Sequence, residues 1–257
     1  MRAIILIYIF VLFTYCSRDD SESQKEIPSE KNKIESDTLV QSPTFKVHHH
    51  GALKQIMHQG NISAQASLSD FKELRHLYAL GALENLKGEI LILNSQPFIS
   101  NYEGQKMKID TSMDFNATLF VYADVENWQS YEIPVGITSY EELEKFIENT
   151  AREKGLNLEE PFPFLVEGEA RKVDWHVINW PEEDTEHTHE KHVTSGEHGT
   201  LENKPVEVLG FFSTHHHAIF THHTTNMHLH FITENGDLAG HADNLIPGDQ
   251  MHLKLPN

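Results

Sequence analysis

Residues 227–241 carry three histidines whose spacing could place them around one metal ion. Side chains of a β-strand alternate between its two faces, so His228 and His230 would share a face. Asn235-Gly236 is a strong signal for a two-residue type I′ turn. With that turn as the pivot, His241 lies opposite His230 at a Cβ distance of about 5 Å. Three imidazoles and an open coordination position are typical of a catalytic zinc site, and a polar surface face that happens to contain histidines is the alternative.

The composition favours a metal site and argues against other classes of site. The chain contains 19 histidines among its 257 residues, and histidine is the commonest ligand of transition metals. Its 20 basic and 39 acidic residues give a net charge of -19, which argues against a nucleic-acid partner because phosphate binding needs a basic surface. The single cysteine excludes an intramolecular disulfide and a cysteine-rich zinc site.

Other histidines give weaker signals. The polar segment 181–204 is expected to be a solvated loop that binds metal only loosely, and its histidines are His187, His189, His192 and His198. Two runs precede the metal-binding strand and could line the mouth of a pocket or form a secondary site: His215-His216-His217 and His222-His223. His48-His49-His50 precedes a predicted helix, and the lone His76 is expected to be structural.

The pattern around these residues predicts an α+β fold of mainly antiparallel β-sheets with a few helices and a metal site on a C-terminal β-hairpin. Apolar spacing predicts helices at residues 52–57 and 68–78, and a capping box at Ser139 and Glu142 opens a third helix that ends near Gly155. Glu167-Gly168 predicts a hairpin turn. The predicted strands are residues 89–93, 97–102, 118–123, 164–166, 173–178, 206–212, 227–233, 238–244 and 251–255.

The N-terminus is typical of an export signal. Residues 4–15 are almost wholly apolar, a run that suits a signal sequence and is too short to span a bilayer. Phe13-Thr14-Tyr15-Cys16 resembles a bacterial lipobox, so we expect an exported protein that is anchored in the cell envelope by a lipid on Cys16; an ordinary signal sequence is the alternative.

The remaining sequence divides into a tether and a body. After the signal at residues 1–16, residues 17–43 are polar and should form a flexible tether. The body would span residues 44–257, with sub-regions at about 44–180 and 205–257 that a His/Glu-rich loop joins.

Four segments of the body resemble the α-acetolactate decarboxylase family. Gly88-Glu89-Ile90-Leu91 is similar to the family's G-E-[LM] strand, and Val208-Leu209-Gly210-Phe211-Phe212 is similar to its [VI]-V-G-F strand. His228-Leu229-His230-Phe231-Ile232, together with Gly240-His241, resembles its H-L-H-F-I…G-G-H metal hairpin. Leu253-Lys254-Leu255-Pro256 resembles its L-R-L-P segment.

This resemblance implies a zinc enzyme that converts 2-acetolactate to acetoin and CO₂, with zinc held by His228, His230 and His241. Zinc would chelate oxygens of a small 2-hydroxy-3-keto acid and, as a Lewis acid, stabilise the enediolate that remains when CO₂ departs. A nearby acid then protonates the enediolate. Glu89 matches the family's active-site glutamate, and a surface carboxylate at a strand edge is the alternative.

Two departures from the family leave the substrate open. His176 stands where the family has an arginine; it could donate a proton, but it cannot make a bidentate contact with a carboxylate. The sequence also ends at Asn257, before the family's acidic C-terminal extension. A related reaction on another substrate is therefore one alternative.

Two further alternatives come from other classes of protein. An envelope lipoprotein could sequester or deliver zinc, nickel or copper without decarboxylase activity. A cupin would add Glu234 to His228 and His230, although the hairpin turn takes up Glu234. The expected partners are the small substrate and, through the N-terminus, the membrane, whereas a homodimer is left open.

Overall fold

The computed structural model describes residues 45–257, which form two antiparallel β-sheets and a few helices, so the α+β prediction is confirmed. The predictions for the signal, Cys16 and the tether lie outside the described residues. Of the helices within residues 45–257, none is long and apolar enough to cross a membrane.

The first sheet contains the strands of the N-terminal half. Its strands are β1 (His48–His50), β2 (Ala66–Ser67), β3 (Leu77–Leu83), β4 (Gly88–Leu93), β5 (Gln96–Glu103), β6 (Lys106–Asp110) and β7 (Asn116–Asp124). Their order is β1-β7-β3-β4-β5-β6, with β2 also paired to β7. Helix α1 (Leu53–Gln59) follows β1. The next residue, Gly60, has a φ of 61°, which is the left-handed conformation common at helix ends.

The second sheet contains the candidate hairpin. Its strands are β8 (Trp128–Glu132), β9 (Phe162–His176), β10 (His198–Phe212), β11 (Met227–Thr233), β12 (Ala239–Pro247) and β13 (His252–Pro256). Their order is β10-β11-β12-β9-β13-β8, and β10 also pairs with β9. These pairings close β9, β10, β11 and β12 into a ring.

Helix α2 (Tyr140–Glu153) covers one face of the second sheet. The Ser139 hydroxyl accepts a hydrogen bond from the Glu142 backbone N–H, as the capping box predicts. The Glu142 carboxylate, however, accepts from the backbone and hydroxyl of Thr138 rather than returning to Ser139. Leu143 and Ile147 of this helix pack in one core with three odd-numbered side chains of β11, Met227, Leu229 and Phe231.

The even-numbered face of β11 is turned toward the first sheet. Ile232 shares a second core with Leu91 of β4 and Leu119 of β7, so the two sheets pack face to face at this point. The Ser100 hydroxyl on β5 donates a 2.7 Å hydrogen bond to the carbonyl of Ala239 on β12. The strand alternation predicted for β11 is therefore observed, and the hairpin histidines lie between the sheets.

The helix predicted at residues 68–78 is wrong. Leu68–Phe71 forms one 3₁₀ turn, and strand β3 begins at Leu77. The side chains of β3 are almost all buried, and strands buried on both faces read as continuous apolar runs. Such a run cannot be distinguished from a helix by its periodicity alone.

The hairpin predicted at Glu167-Gly168 is also wrong, because β9 runs straight through it. Gly168 has a φ of +129°, and a Cβ there would lie 3.0 Å from the carbonyl oxygen of Gln250. Glu167 accepts a 2.6 Å hydrogen bond from the ammonium group of Lys254 on β13. The glycine therefore permits close approach of a neighbouring chain segment, which is a common role for glycine within a strand.

The segment 181–204 is only partly a loop. It contains the short helix α3 (His189–Thr194) and the first half of β10, where residues 198–204 pair with residues 170–176 of β9. This half of β10 is largely exposed and polar, so hydrophobic patterning could not reveal it.

Candidate metal and catalytic site

The three hairpin histidines converge between the sheets. One ligand atom from each of His228, His230 and His241 lies within 4.8 Å of the others. The ring centroids are 5.1 Å apart for His228 and His230, 5.1 Å for His228 and His241, and 5.3 Å for His230 and His241. His228 is 6% and His230 0% exposed, which excludes the alternative of a polar surface face.

The hairpin has the predicted register, but its turn is not the predicted type I′ turn. His230 pairs with His241, and Ile232 pairs with Ala239. The backbone N–H of Gly236 donates to the carbonyl of Thr233. A type I′ turn needs a positive φ at both Asn235 and Gly236, but only Gly236 has one, at 71°. This is a type I turn followed by a left-handed glycine, which preserves the register in a longer loop.

The triad suits a divalent metal ion. Both ring nitrogens of His230 and the Nδ1 atoms of His228 and His241 are buried without a hydrogen-bond partner of ordinary geometry among the described residues. Buried polar atoms are normally paired, so such atoms require an explanation. Burial lowers the pKa values of His228 and His230 well below the ordinary value. The nearby His241 ring adds to this effect at His228, and the His228 ring adds to it at His230. The rings are therefore neutral, which is the form that binds metal.

A fourth histidine stands in the same row of the sheet. His176 on β9 pairs directly with His241 on β12, which pairs in turn with His230 on β11. The ring centroids of His176 and His241 are 4.7 Å apart. The structure thus brings His176 to the triad, as the sequence predicts.

Glu89 lies across from this row, on β4 of the first sheet. It is 5% exposed and occupies a central strand, so the alternative of a surface carboxylate is wrong. Its carboxylate oxygens are 3.9 Å from Nε2 of His176 and 3.7 Å from Nε2 of His230. Burial raises the pKa of Glu89 to about 8, against the opposing effects of His176 and of the Ile178 N–H that donates to it at 3.3 Å. A carboxyl group in this state keeps its proton near neutral pH.

Asp243 is a further site residue that the sequence reasoning missed. Its Oδ2 accepts a 2.8 Å hydrogen bond from Nδ1 of His176, and its Oδ1 is 3.2 Å from Nδ1 of His241. Burial alone would raise the pKa of Asp243, but the neighbouring His176 and His241 rings hold it well below the usual range. Burial alone would lower the pKa of His176, but Asp243 and Glu89 raise it above the ordinary value.

Four of the site residues face a cavity of about 160 Å³. Its polar wall includes Glu89, His176, His228 and His241. Its apolar wall includes Leu53, Ile56 and Met57 of α1, together with Leu86, Leu119 and Ile178. An apolar cavity with a few convergent polar groups is the usual form of a small-molecule site.

Histidines outside the hairpin divide into two groups. His189 and His192 from segment 181–204 also line the cavity, with His58, His222 and His223. His189 is exposed whereas His192 is partly buried, so the solvated-loop prediction is wrong for His192. Burial lowers the pKa of His192 to about 3 and that of His222 to about 4.

The second group lies away from the cavity. His215 bonds to Glu159, His216 to Ser213 and His217 to Asn226. His48 and His50 stack on Tyr122, and His76 lies 3.2 Å from the side-chain oxygen of Asn94. These histidines have structural partners instead of a place at the candidate site.

Comparisons with known proteins agree with this architecture. The family model described as alpha-acetolactate decarboxylase matches residues 47–255. The chain matches none of the curated proteins with which it was compared. Among solved structures, alpha-acetolactate decarboxylase from Bacillus subtilis strain 168 is 15% identical, with a TM-score of 0.66 over 82% of this chain and 86% of that one.

A second solved structure has the same fold. A Staphylococcus aureus protein of unknown function, described as similar to alpha-acetolactate decarboxylase, is 14% identical, with a TM-score of 0.66 over 82% of this chain and 85% of that one. Both likenesses establish a shared fold.

Proposed function

This chain belongs to the alpha-acetolactate decarboxylase family, and we propose on that basis that it is a zinc-dependent carboxy-lyase acting on 2-acetolactate or a closely related 2-hydroxy-3-keto acid. The observation that carries the proposal is the convergence of three histidines, two of them buried, beside the buried carboxyl group of Glu89 at the wall of one cavity. Family membership alone would not carry it, because a divergent member can lose its activity.

His228, His230 and His241 would hold the ion. Three imidazoles leave a coordination position open for substrate. When bound there, zinc would supply a Lewis acid for the hydroxyl, carbonyl or carboxylate oxygens of the substrate. Leu53, Ile56 and Leu119 line the same cavity and would exclude water from the reacting carbons.

The proton that completes the reaction would come from Glu89. Decarboxylation breaks the bond between the carboxylate carbon and its neighbour, and the electron pair of that bond remains in an enediolate. Glu89 lies within 4 Å of both His176 and His230, so its carboxyl group reaches the region in which the enediolate forms. Proton transfer from Glu89 to carbon would then yield the hydroxyketone, acetoin in the case of 2-acetolactate.

A metal-sequestering role is the second candidate function. The observation that favours it is the number of histidines at the cavity beyond the triad, namely His58, His176, His189, His192, His222 and His223. A carrier would bind several ions with graded affinities, whereas the proposed enzyme would hold one ion tightly.

Metal content and CO₂ release from 2-acetolactate distinguish the two functions. Replacing His228, His230 or His241 by alanine should remove most of the bound zinc and abolish CO₂ release, because two imidazoles rarely hold zinc against buffer. The matched control replaces His187, His189, His192 and His198 together and should leave one ion in place. If the triad variants keep their zinc and the control loses it, the carrier function replaces the enzyme.

A further inference from the structure

A single carboxylate contacts two rings of the candidate site. Asp243 Oδ2 accepts from Nδ1 of His176 at 2.8 Å, and Oδ1 lies 3.2 Å from Nδ1 of His241. An ionised carboxylate can only accept, so the proton of His176 resides on Nδ1. In the neutral ring, the Nε2 atom of His176 then carries the free lone pair, and it lies 3.9 Å from Glu89.

We propose that Asp243 is a positioning residue, which fixes the tautomer of His176 with Nε2 toward Glu89 and orients His241 as a metal ligand. Carboxylates that accept from the second nitrogen of a ligand histidine fix its ring orientation in many metal sites. The consequence for decarboxylation rests on the proposed function, whereas the effect on the two rings rests on the 2.8 Å hydrogen bond from His176 and on the 3.2 Å approach of Asp243 to His241.

The backbone of β12 is built to deliver this side chain. Ala242 pairs with Trp175, and Asn244 pairs with the adjacent residue of β9, Asp174. Asp243 has no strand-pairing partner on β9 and is therefore the extra residue of a β-bulge. Bulges commonly re-aim a side chain beside an active site. The amide of Asn244 donates to the Asp174 carboxylate at 2.9 Å, which anchors the strand directly after the bulge.

The same residues suggest one competing arrangement. His176, His241 and Asp243 each offer a ligand atom within 4.8 Å of the others and could themselves hold an ion. Two ligand atoms about 2.0–2.1 Å from a tetrahedral zinc ion would be about 3.3 Å apart. The 2.8 Å separation between His176 and Asp243 is shorter and fits a shared proton. Asp243 therefore acts through the rings and not as a ligand.

The test compares Asp243→Asn and Asp243→Ala with Asp249→Asn, which changes an exposed carboxylate two residues beyond β12. Nitrogen-15 NMR of histidine-labelled, metal-free protein reports the tautomer of each ring, and His176→Gln assigns the His176 signals. We expect His176 to be protonated on Nδ1 in the unmodified chain and in Asp243→Asn, whose amide oxygen still accepts a hydrogen bond. Asp243→Ala should shift the ring to a mixture of tautomers.

Zinc affinity provides a second readout. Asp243→Ala should weaken zinc binding about 10- to 100-fold, the range typical of residues that orient a ligand. Asp243→Asn should weaken it less, and Asp249→Asn should leave it unchanged. Asp243→Asn preserves shape and one hydrogen bond, so its zinc affinity, compared with that of Asp249→Asn, tests the proposal even if the alanine variant does not fold.

Two results would overturn the proposal. An unchanged His176 tautomer in Asp243→Ala would mean that the carboxylate does not position the ring. Complete loss of zinc in both Asp243→Asn and His176→Gln, with zinc retained in His228→Ala, would make Asp243 a ligand. If the NMR and affinity results are as expected but the unmodified chain releases no CO₂, the positioning role stands and the proposed decarboxylase function fails.

Discussion

The ring nitrogens of His230 are buried and have no hydrogen-bond partner of ordinary geometry among the described residues. Histidines such as His215 and His217, in contrast, form a hydrogen bond with a neighbouring side chain. Residue types and strand alternation were sufficient to predict that the hairpin histidines share a face. They were not sufficient to predict Asp243, because a bulge adds a residue to one strand and sequence alternation does not show where this happens.

Glu89→Gln tests the proton donor at this scale. The amide has nearly the same shape and can still accept from the Ile178 N–H, but it cannot donate an acidic proton. Formation of the hydroxyketone from 2-acetolactate should fall about 10²- to 10⁴-fold, while bound zinc is retained. Glu207→Gln, a half-buried position that does not line the cavity, should leave the rate unchanged. Loss of zinc from Glu89→Gln would instead identify Glu89 as a ligand.

At the scale of elements, the hairpin was the most predictable part of the fold. The register of β11 and β12 follows from the position of the turn, and both a type I′ turn and the observed longer loop give the pairing of His230 with His241. The helix predicted at 68–78 and the hairpin predicted at Glu167-Gly168 failed for a common reason. In both places tertiary packing decides between conformations that the local sequence permits. Leu68 packs in one core with Leu77 of β3, and Gly168 lies against Gln250 and Met251, just before β13.

Gly240→Ala tests how the hairpin seats on β9. A Cβ at this position would lie 2.7 Å from the carbonyl oxygen of His176 and 2.9 Å from a methyl group of Val177. The substitution should therefore push β12 away from β9, lower the free energy of unfolding by about 1–3 kcal/mol and weaken zinc binding. Gly136→Ala is the control, because its Cβ would meet no described atom within 4 Å. Equal urea midpoints for the two variants would contradict the close approach.

At the scale of the whole molecule, the site depends on contacts between distant parts of the chain. Glu89 reaches the hairpin only because the two sheets pack face to face, held by bonds such as that from Ser100 to Ala239. The Tyr102 hydroxyl likewise donates to the carbonyl of Val177 at 2.9 Å. Local patterns do not report which faces of two sheets meet, so the cavity and its apolar wall could not be predicted from the sequence.

Cys16→Ser tests the expected position of the protein in the cell. The apolar run before Cys16 and the polar segment after it favour a lipid anchor. Without the thiol that carries the lipid, the protein should leave the membrane fraction when cells are fractionated. A variant that stays in the membrane fraction to the same extent as the unmodified protein would exclude lipidation at this residue.

Metal binding should stabilise the whole fold, because β11 and β12 bring the three imidazoles together only in the folded state. An ion at a hundred times its dissociation constant that binds only the folded state raises the free energy of unfolding by about 2.7 kcal/mol. Urea denaturation with and without zinc should show such an increase for the unmodified chain. His230→Ala should abolish it, because this change removes one of three ligands. His198→Ala, an exposed position on β10, should preserve it. An equal increase in both variants would mean that zinc binds mainly outside the hairpin, as a metal carrier requires.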